Sequence, residues 1–136
     1  MTTGWKHELP FATILHRQDG IMHIHFHSVS SISSPEAHAL NVAIIDRFPG
    51  KKFRMLITSE PNIKFTEDAM RYSSSEVGAQ FSICEAYVVN SGLQRFLGNI
   101  YLIVHRPIAP TKLFTNKILA IEWLLEFGLE SAAQAE

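Results

Sequence analysis

The stretch from Phe81 to Phe127 constrains the fold most, because it contains two consecutive strand and helix patterns. A nearly continuous apolar run at Ile83–Val89 predicts a buried strand, and the apolar segment Gly92–Val104 predicts a helix. A short strand at Thr111–Phe114 and a final amphipathic helix complete the pattern. Thr115 is the predicted cap of this helix, Ile118 is among the residues expected to face the sheet, and Gly128 is the stop. Strands that alternate with helices predict a sheet covered by helices.

The N-terminal half begins with a predicted hairpin. Residues Phe11–Arg17 and Ile21–His27 have the composition of short strands, and the glycine-containing segment Gln18–Gly20 separates them. After this hairpin the pattern predicts a helix from about Pro35 to Phe48, a crossover strand at Phe53–Thr58 that runs parallel to an earlier strand, and a second helix from Thr66 to about Ala79. The first of these helices is expected to bury Ala37, Leu40, Val42, Ile44 and Phe48.

Length and composition indicate one compact domain. The chain has 136 residues, of which 46% are hydrophobic and 18% are charged, and this suits a single hydrophobic core. We expect an N-terminal leader at residues 1–8, a single domain at 9–128 and a flexible tail at 129–136. The expected fold class is α/β, with a mixed sheet of about five strands and with about four helices.

Charge and cysteine content argue against several classes of function. Twelve Lys and Arg nearly balance thirteen Asp and Glu, so little counterion-driven affinity for nucleic acid is available. Cys84 is the single cysteine, which rules out an intramolecular disulfide and favours a reducing compartment. No signal-peptide pattern opens the chain, and no run approaches the ~20 apolar residues that cross a bilayer. We therefore expect a cytoplasmic protein without stable membrane insertion.

Three histidines of the second predicted strand share one face. His23, His25 and His27 alternate with apolar residues, and the His-x-His spacing can place two imidazoles on one metal ion. A metal-binding protein or metalloenzyme is therefore one alternative function. Such a site also needs further ligands and supporting acceptors, and none has a recognisable spacing. A polar, solvent-facing side of the hairpin explains the pattern more simply, and we expect neither a metal nor another cofactor.

No pattern for catalysis stands out in the sequence. Ser73–Ser75 and Cys84 have no identifiable base, and neither a glycine-rich phosphate loop nor a nucleophile elbow is present. Glu85 interrupts the apolar strand at Ile83–Val89. A carboxyl with a shifted pKa is one interpretation, but a strand position with solvent access is the simpler one. The sequence predicts a non-enzymatic protein.

The predicted order of elements is strand, strand, helix, strand, helix, strand, helix, strand, helix. Together with the segments Ser91-Gly-Leu-Gln-Arg-Phe-Leu-Gly-Asn-Ile-Tyr-Leu and Pro110-Thr-Lys-Leu-Phe-Thr, this order resembles small stand-alone STAS-like bacterial proteins, which are relatives of the anti-sigma-factor antagonists. The resemblance spans roughly Leu9 to Phe127. It implies a mixed sheet with helices mainly on one side, no enzymatic activity, and a regulatory role in binding a protein partner or a small ligand.

The sequence departs from this resemblance at the start of the second helix. Antagonists that act as phosphorylation switches carry an Asp-Ser-Ser-Gly type motif there, whereas this chain has Phe-Thr-Glu-Asp-Ala from Phe65. Thr66 is the nearest hydroxyl and is the possible phosphorylation site. A helix N-cap is the simpler role for Thr66, so a phosphorylation-switched antagonist is kept as a second alternative.

The helix predicted at Gly92–Val104 carries more apolar side chains than one core face can take. Its second half is apolar almost all round, and exposed apolar patches mark binding surfaces. We therefore predict that Phe96, Tyr101, Leu102 and Ile103 bind a protein partner, a second copy of the chain in a homodimer, or a small apolar ligand. The alternative is that the leader, with Trp5, folds over this helix and buries it.

Overall fold

The computed structural model describes residues 4–91, Gly98 and residues 107–128. Over these residues the chain forms eight strands and three helices. In chain order they are β1 (Lys6–Leu9), β2 (Ala12–His16), β3 (Met22–Phe26), β4 (Ser31–Ile32), α1 (Ser34–Arg47), β5 (Phe53–Ser59), β6 (Lys64–Phe65), α2 (Glu67–Ser74), β7 (Ser82–Val88), β8 (Thr111–Phe114) and α3 (Lys117–Glu126).

A mixed sheet of six strands forms the centre of the domain, in the order β1-β2-β3-β5-β7-β8. The first three strands are antiparallel, and β3, β5, β7 and β8 run parallel. The short strands β4 and β6 form a separate parallel pair. The predicted α/β class, the β2–β3 hairpin and the parallel pairing of β3 with β5 are confirmed.

The sheet has six strands where the sequence predicted about five. The additional strand is β1, which pairs with β2 through His7 opposite Ile14, in a stretch where a leader was expected. Its residues are polar and mostly exposed, so they lack the apolar run that signals a strand. The third of the four predicted helices, Gly92–Val104, lies outside the described residues apart from Gly98.

Helix α1 begins at a carboxylate-supported cap. The Glu36 side chain accepts hydrogen bonds from the Ser33 backbone N–H at 2.7 Å and from the Ser33 hydroxyl at 2.6 Å, and these bonds lower the pKa of Glu36. Ala37, Leu40, Ile44 and Phe48 are buried as predicted. Val42 was also expected in the core, but 43% of its surface is exposed, because it points away from the sheet.

Helix α2 is shorter than predicted and ends at Ser74 rather than near Ala79. Thr66 is its N-cap, since the Ala69 backbone N–H donates to Thr66 Oγ1 at 3.3 Å. The Thr66 hydroxyl donates to Asp68, and Asp68 Oδ2 accepts the Ser34 backbone N–H at 3.0 Å. These hydrogen bonds, of which the one from Thr66 has the largest effect, lower the pKa of Asp68 to about 2. One carboxylate thus joins the first turns of α1 and α2.

The sheet carries a hydrophobic core on each face. Helices α1 and α2 pack on one face, and α3 packs on the other, where the resemblance implied helices mainly on one side. Asn116, rather than the predicted Thr115, caps α3, because its side chain accepts the Leu119 backbone N–H at 3.1 Å. Trp5 packs edge-on against Phe48 with ring centroids 5.3 Å apart. No helix within the described part of the chain is both long and apolar enough to span a bilayer.

Candidate functional site

A cavity of about 280 Å³ lies between the sheet and helices α1 and α2. Four parallel strands line one side of it, with Ile24, Phe26, Met55, Ile57, Glu85, Tyr87, Thr111 and Leu113. The two helices line the other side, with Leu40, Asn41, Ala69, Met70 and Ser73 among the contributing residues. This size lies near the lower end of the roughly 300–1,000 Å³ of small-molecule sites, and a mainly apolar lining with a few polar groups is typical of them.

A β-bulge places Ser82 beside Glu85, the carboxyl residue of β7 that lines the cavity. The pairing of β5 with β7 runs from Phe53 opposite Ser82 to Arg54 opposite Cys84, so Ile83 is an extra residue. In a regular strand, side chains three positions apart point to opposite faces. The extra residue changes the alternation, so Ser82 and Glu85 share the cavity side of the sheet.

The Glu85 carboxyl is held by two hydroxyl groups. Ser82 Oγ donates to Glu85 Oε2 at 2.7 Å, and Tyr87 Oη donates to Glu85 Oε1 at 3.0 Å. Only 8% of the Glu85 surface is exposed. Burial raises the pKa of Glu85, because the charged form loses its hydration, while the bonds from Ser82 and Tyr87 act in the opposite direction. The expected solvent access of Glu85 is wrong, since β7 lies inside the sheet between β5 and β8.

The described cavity lining contains an acidic side chain and no basic one. Among the lining residues that the structure describes, Glu85 is the carboxyl group, and Lys, Arg and His do not occur. The amide of Asn41 is fixed at the helical side, where Nδ2 donates to Tyr72 Oη at 3.0 Å and to the carbonyl of Gly78 at 3.3 Å. The cavity therefore offers hydrogen-bonding groups but no described cation.

Glycines allow close packing around the cavity. A Cβ at Gly78 would lie 1.9 Å from the backbone oxygen of Tyr72, so a larger residue does not fit there without backbone movement. A Cβ at Gly98 would lie 2.3 Å from Cδ1 of Leu113. Gly98 therefore packs closely against β8 through the Leu113 side chain.

The three histidines of the β3 region bond to hydroxyl groups. His23 Nε2 and His25 Nδ1 each lie 2.8 Å from Thr58 Oγ1, and His27 Nε2 lies 3.1 Å from Thr13 Oγ1. Burial, followed by the nearby charge of Lys117, lowers the pKa of His23 to about 4. No three His, Cys, Asp or Glu side chains of the described residues are grouped so that they could hold a metal ion. Within that part of the chain the metal alternative lacks the ligand set it requires.

The other candidate residues fall in different places. Phe96, Tyr101, Leu102 and Ile103 lie outside the described residues. Thr66 is the N-cap of α2. Cys84 is fully buried on the α3 face, and burial raises the pKa of its thiol to about 11, which makes the thiol unreactive at neutral pH.

Helix α3 presents apolar side chains on its outer surface. Ile118 is 67% exposed, Leu119 is 54% exposed and Leu125 is 40% exposed. The inner side of the helix, with Ala120 and Leu124, is fully buried against the sheet. The sequence prediction treated Ile118 as a residue that faces the sheet, whereas the structure places it at the surface.

A protein of known structure shares this fold. The structure is similar to an uncharacterized protein of the DUF3478 family with a SpoIIAA-like fold from Shewanella loihica PV-4, with a TM-score of 0.56, 14% identity, and coverage of 91% of this chain and 98% of that chain. It also matches a protein with unknown function from Arthrobacter sp. FB24 at a TM-score of 0.33, with 21% identity over 87% of this chain and 95% of that chain. No curated protein matches.

The first of these similarities confirms the predicted STAS-like fold, because the SpoIIAA-like fold is that of the anti-sigma-factor antagonists. At 14% identity it carries information on the fold alone. A family model described as "Domain of unknown function (DUF7793)" matches residues 15–128. This match spans β3, β5, β7 and β8, the four strands that line the cavity. The chain therefore belongs to the DUF7793 family.

Proposed function

We propose that this domain is a non-catalytic binding domain that holds a small, mainly apolar molecule between the sheet and helices α1 and α2. The observation that carries the proposal is the cavity of about 280 Å³, whose lining is apolar except for a few groups such as Glu85 and Asn41. Ligand sites usually combine an apolar wall with a few placed polar groups, because the wall provides affinity and the polar groups fix orientation.

The chemistry of the Ser82–Glu85 pair supports a binding role over a catalytic one. A serine acts as a nucleophile when a neighbouring base removes its proton. Ser82, however, is not among the described residues that line the cavity, and only 8% of its surface is exposed. The Ser82 hydroxyl therefore supports Glu85 through a hydrogen bond rather than facing a bound molecule.

Methionine methyl groups allow a direct test of ligand binding. Met55 and Met70 line the cavity, whereas Met22 is fully buried but does not line it. In protein labelled with ¹³C at the methionine methyls, titration with the neutral fluorophore 1-aminoanthracene is expected to shift the NMR signals of Met55 and Met70 and to leave Met22 in place. Unchanged Met55 and Met70 signals at a saturating probe concentration would contradict the proposal.

A substitution that fills the cavity provides the matched control. Ser73 lines the cavity from α2, and Glu76 lies exposed just beyond that helix. Ser73→Leu is expected to weaken 1-aminoanthracene binding, because the added side chain occupies the space of the probe. Glu76→Leu adds a similar apolar side chain outside the cavity and is expected to leave probe binding unchanged. Equal effects of the two substitutions would indicate binding elsewhere on the protein.

A second candidate function is association with a protein partner or with a second copy of the chain. The apolar outer surface of α3, formed by Ile118, Leu119 and Leu125, favours it, because such patches mark interaction surfaces. Phe96, Tyr101, Leu102 and Ile103 remain predicted contributors to the same role. Light scattering is expected to show a dimer that Leu119→Glu converts to a monomer, and a monomeric wild-type protein at high concentration would count against self-association.

A further inference from the structure

We propose that the cavity selects an uncharged apolar molecule that carries a hydrogen-bonding oxygen, as medium-chain ketones, esters and amides do, and that Glu85 contacts this oxygen. This inference rests on the proposed function and specifies the class of ligand. The structural basis is the position of the Glu85 carboxyl, which lines the cavity and accepts hydrogen bonds from the hydroxyl groups of Ser82 and Tyr87.

The geometry leaves part of the carboxyl available to a ligand. A carboxyl group has about four positions at which its oxygens take part in hydrogen bonds. Ser82 and Tyr87 occupy two of them, and no third hydrogen bond to Glu85 is present among the described residues. Burial raises the pKa of Glu85, and when the carboxyl is protonated one of the remaining positions carries an O–H donor for an acceptor oxygen.

The charge of the lining disfavours anionic ligands. A buried carboxylate is stable when a cation or several hydrogen-bond donors compensate it. The described lining contains no Lys, Arg or His. An anionic ligand would also place its own carboxylate near the carboxyl of Glu85. A fatty-acid anion placed here would therefore lack a described counter-charge, whereas a ketone or ester oxygen requires only a donor.

A cationic amine is the competing class, since it could pair with ionised Glu85. Such binding requires Glu85 to lose its proton, which burial opposes. The remaining lining is mainly apolar, which also favours the uncharged class. The walls thus offer little stabilisation to a buried ammonium group besides Glu85 itself.

A matched ligand series at neutral pH tests the inference. The probes are 2-octanone, octanoate and octylamine, which have the same chain length and differ in charge, and the readout is the Met55 and Met70 methyl signals. We expect 2-octanone to bind at least about tenfold more tightly than either charged probe, as expected when a buried charge is left uncompensated. Tightest binding of octylamine, or equal binding of 2-octanone and octanoate, would overturn the inference.

Substitutions of Glu85 identify the contact. Glu85→Gln keeps a donor and is expected to retain 2-octanone affinity within about threefold, whereas Glu85→Leu removes the donor and is expected to weaken it by about tenfold. The control Glu122→Gln removes an exposed carboxylate from α3 on the opposite face and is expected to change nothing. Unchanged 2-octanone affinity in Glu85→Leu would overturn the assignment of the contact.

Failure of the proposed binding function and failure of the proposed ligand class give different experimental results. If none of the probes, including 1-aminoanthracene, moves the Met55 and Met70 signals, the proposed binding function is wrong. If the probes bind but without preference for 2-octanone, the cavity is a binding site and the selective role of Glu85 is wrong. Should Glu85→Leu not fold, the ligand series with the wild-type protein and Glu85→Gln still decides, because octylamine binding that is lost in Glu85→Gln would indicate an ion pair and would overturn the inference.

Discussion

Ser82 Oγ donates to Glu85 Oε2 across 2.7 Å, although the two residues belong to one strand and are three positions apart. This contact exists because the extra residue Ile83 brings both side chains to the same face of β7. The bulge therefore provides the hydroxyl that compensates part of the cost of burying the Glu85 carboxyl in this inner strand.

Ser82→Ala is expected to raise the pKa of Glu85 further, because it removes the side-chain bond that most strongly lowers it. The lost hydrogen bond should also reduce the free energy of unfolding by about 1 kcal/mol. Carboxyl ¹³C NMR measures the pKa, and urea denaturation measures the stability. Ser30→Ala, at an exposed position, is the control; a Glu85 pKa equal to the wild-type value in Ser82→Ala would show that the contact is weak.

Glu85 is expected to make the protein less stable as the pH rises. Its folded pKa lies above the ordinary value of 4.5, so between these two values the folded state keeps a proton that the unfolded state has lost. The free energy of unfolding is then highest below pH 4.5 and falls as the pH rises toward the folded pKa, with a limiting slope of about 1.4 kcal/mol per pH unit.

Glu85→Gln removes this dependence, because an amide does not titrate. The stability of the variant relative to that of the wild type is expected to increase as the pH rises from 4.5 toward the folded pKa of Glu85, whatever the difference in stability at lower pH. Urea denaturation across this range provides the measurement, with Glu122→Gln as the control for loss of an exposed carboxylate. Parallel pH profiles of wild type and Glu85→Gln would mean that Glu85 ionises normally in the folded protein.

His23 is expected to produce the opposite trend. Its folded pKa of about 4 lies below the ordinary value of 6.5, so the unfolded state takes up a proton that the folded state refuses as the pH falls between these values. Stability is therefore lost on acidification through this window. His23→Gln should reduce the acid sensitivity of thermal unfolding, and His38→Gln, at an exposed position of α1, should not. Equal acid sensitivity of the two variants would contradict a neutral, desolvated His23.

Several parts of the fold follow from local patterns, and others depend on pairing that no local pattern shows. The strand at Thr111–Phe114 and the β2–β3 hairpin were predictable, because their apolar runs and turn residues are adjacent in the sequence. Strand β1 was not, because its polar residues form a strand through their pairing with β2. Its stability comes from a neighbour rather than from its own composition.

The candidate site was only partly predictable. Glu85 is recognisable as a carboxyl within an apolar strand, but its contact with Ser82 depends on the extra residue Ile83, and a bulge is not visible in hydrophobic alternation. The cavity is assembled from residues that are far apart in the sequence, such as Ile24, Asn41 and Thr111. Such a grouping becomes visible when the sheet order is known. The sequence signal that could have located this site is a carboxyl residue within an apolar strand, with hydroxyl residues nearby.

The N-cap at Thr66 is expected to contribute measurably to stability. Thr66→Ala removes the acceptor for the Ala69 backbone N–H and the donor to Asp68, and caps of this kind are worth about 1 kcal/mol. Thr66→Ser keeps the hydroxyl and should remain close to the wild type in urea denaturation. Similar losses in both variants would contradict the cap. Phosphorylation at Thr66 remains a prediction, which mass spectrometry of the protein from its native host would test.

The shared contact of His23 and His25 with Thr58 has a consequence for the placement of protons. A hydroxyl group carries one hydrogen, so Thr58 Oγ1 cannot donate to both His23 Nε2 and His25 Nδ1, each of which lies 2.8 Å away. At least one ring must therefore present its own N–H to the hydroxyl. The tautomer of one imidazole therefore limits the tautomers available to the other. The two rings behave as one hydrogen-bonded unit with Thr58 at its centre.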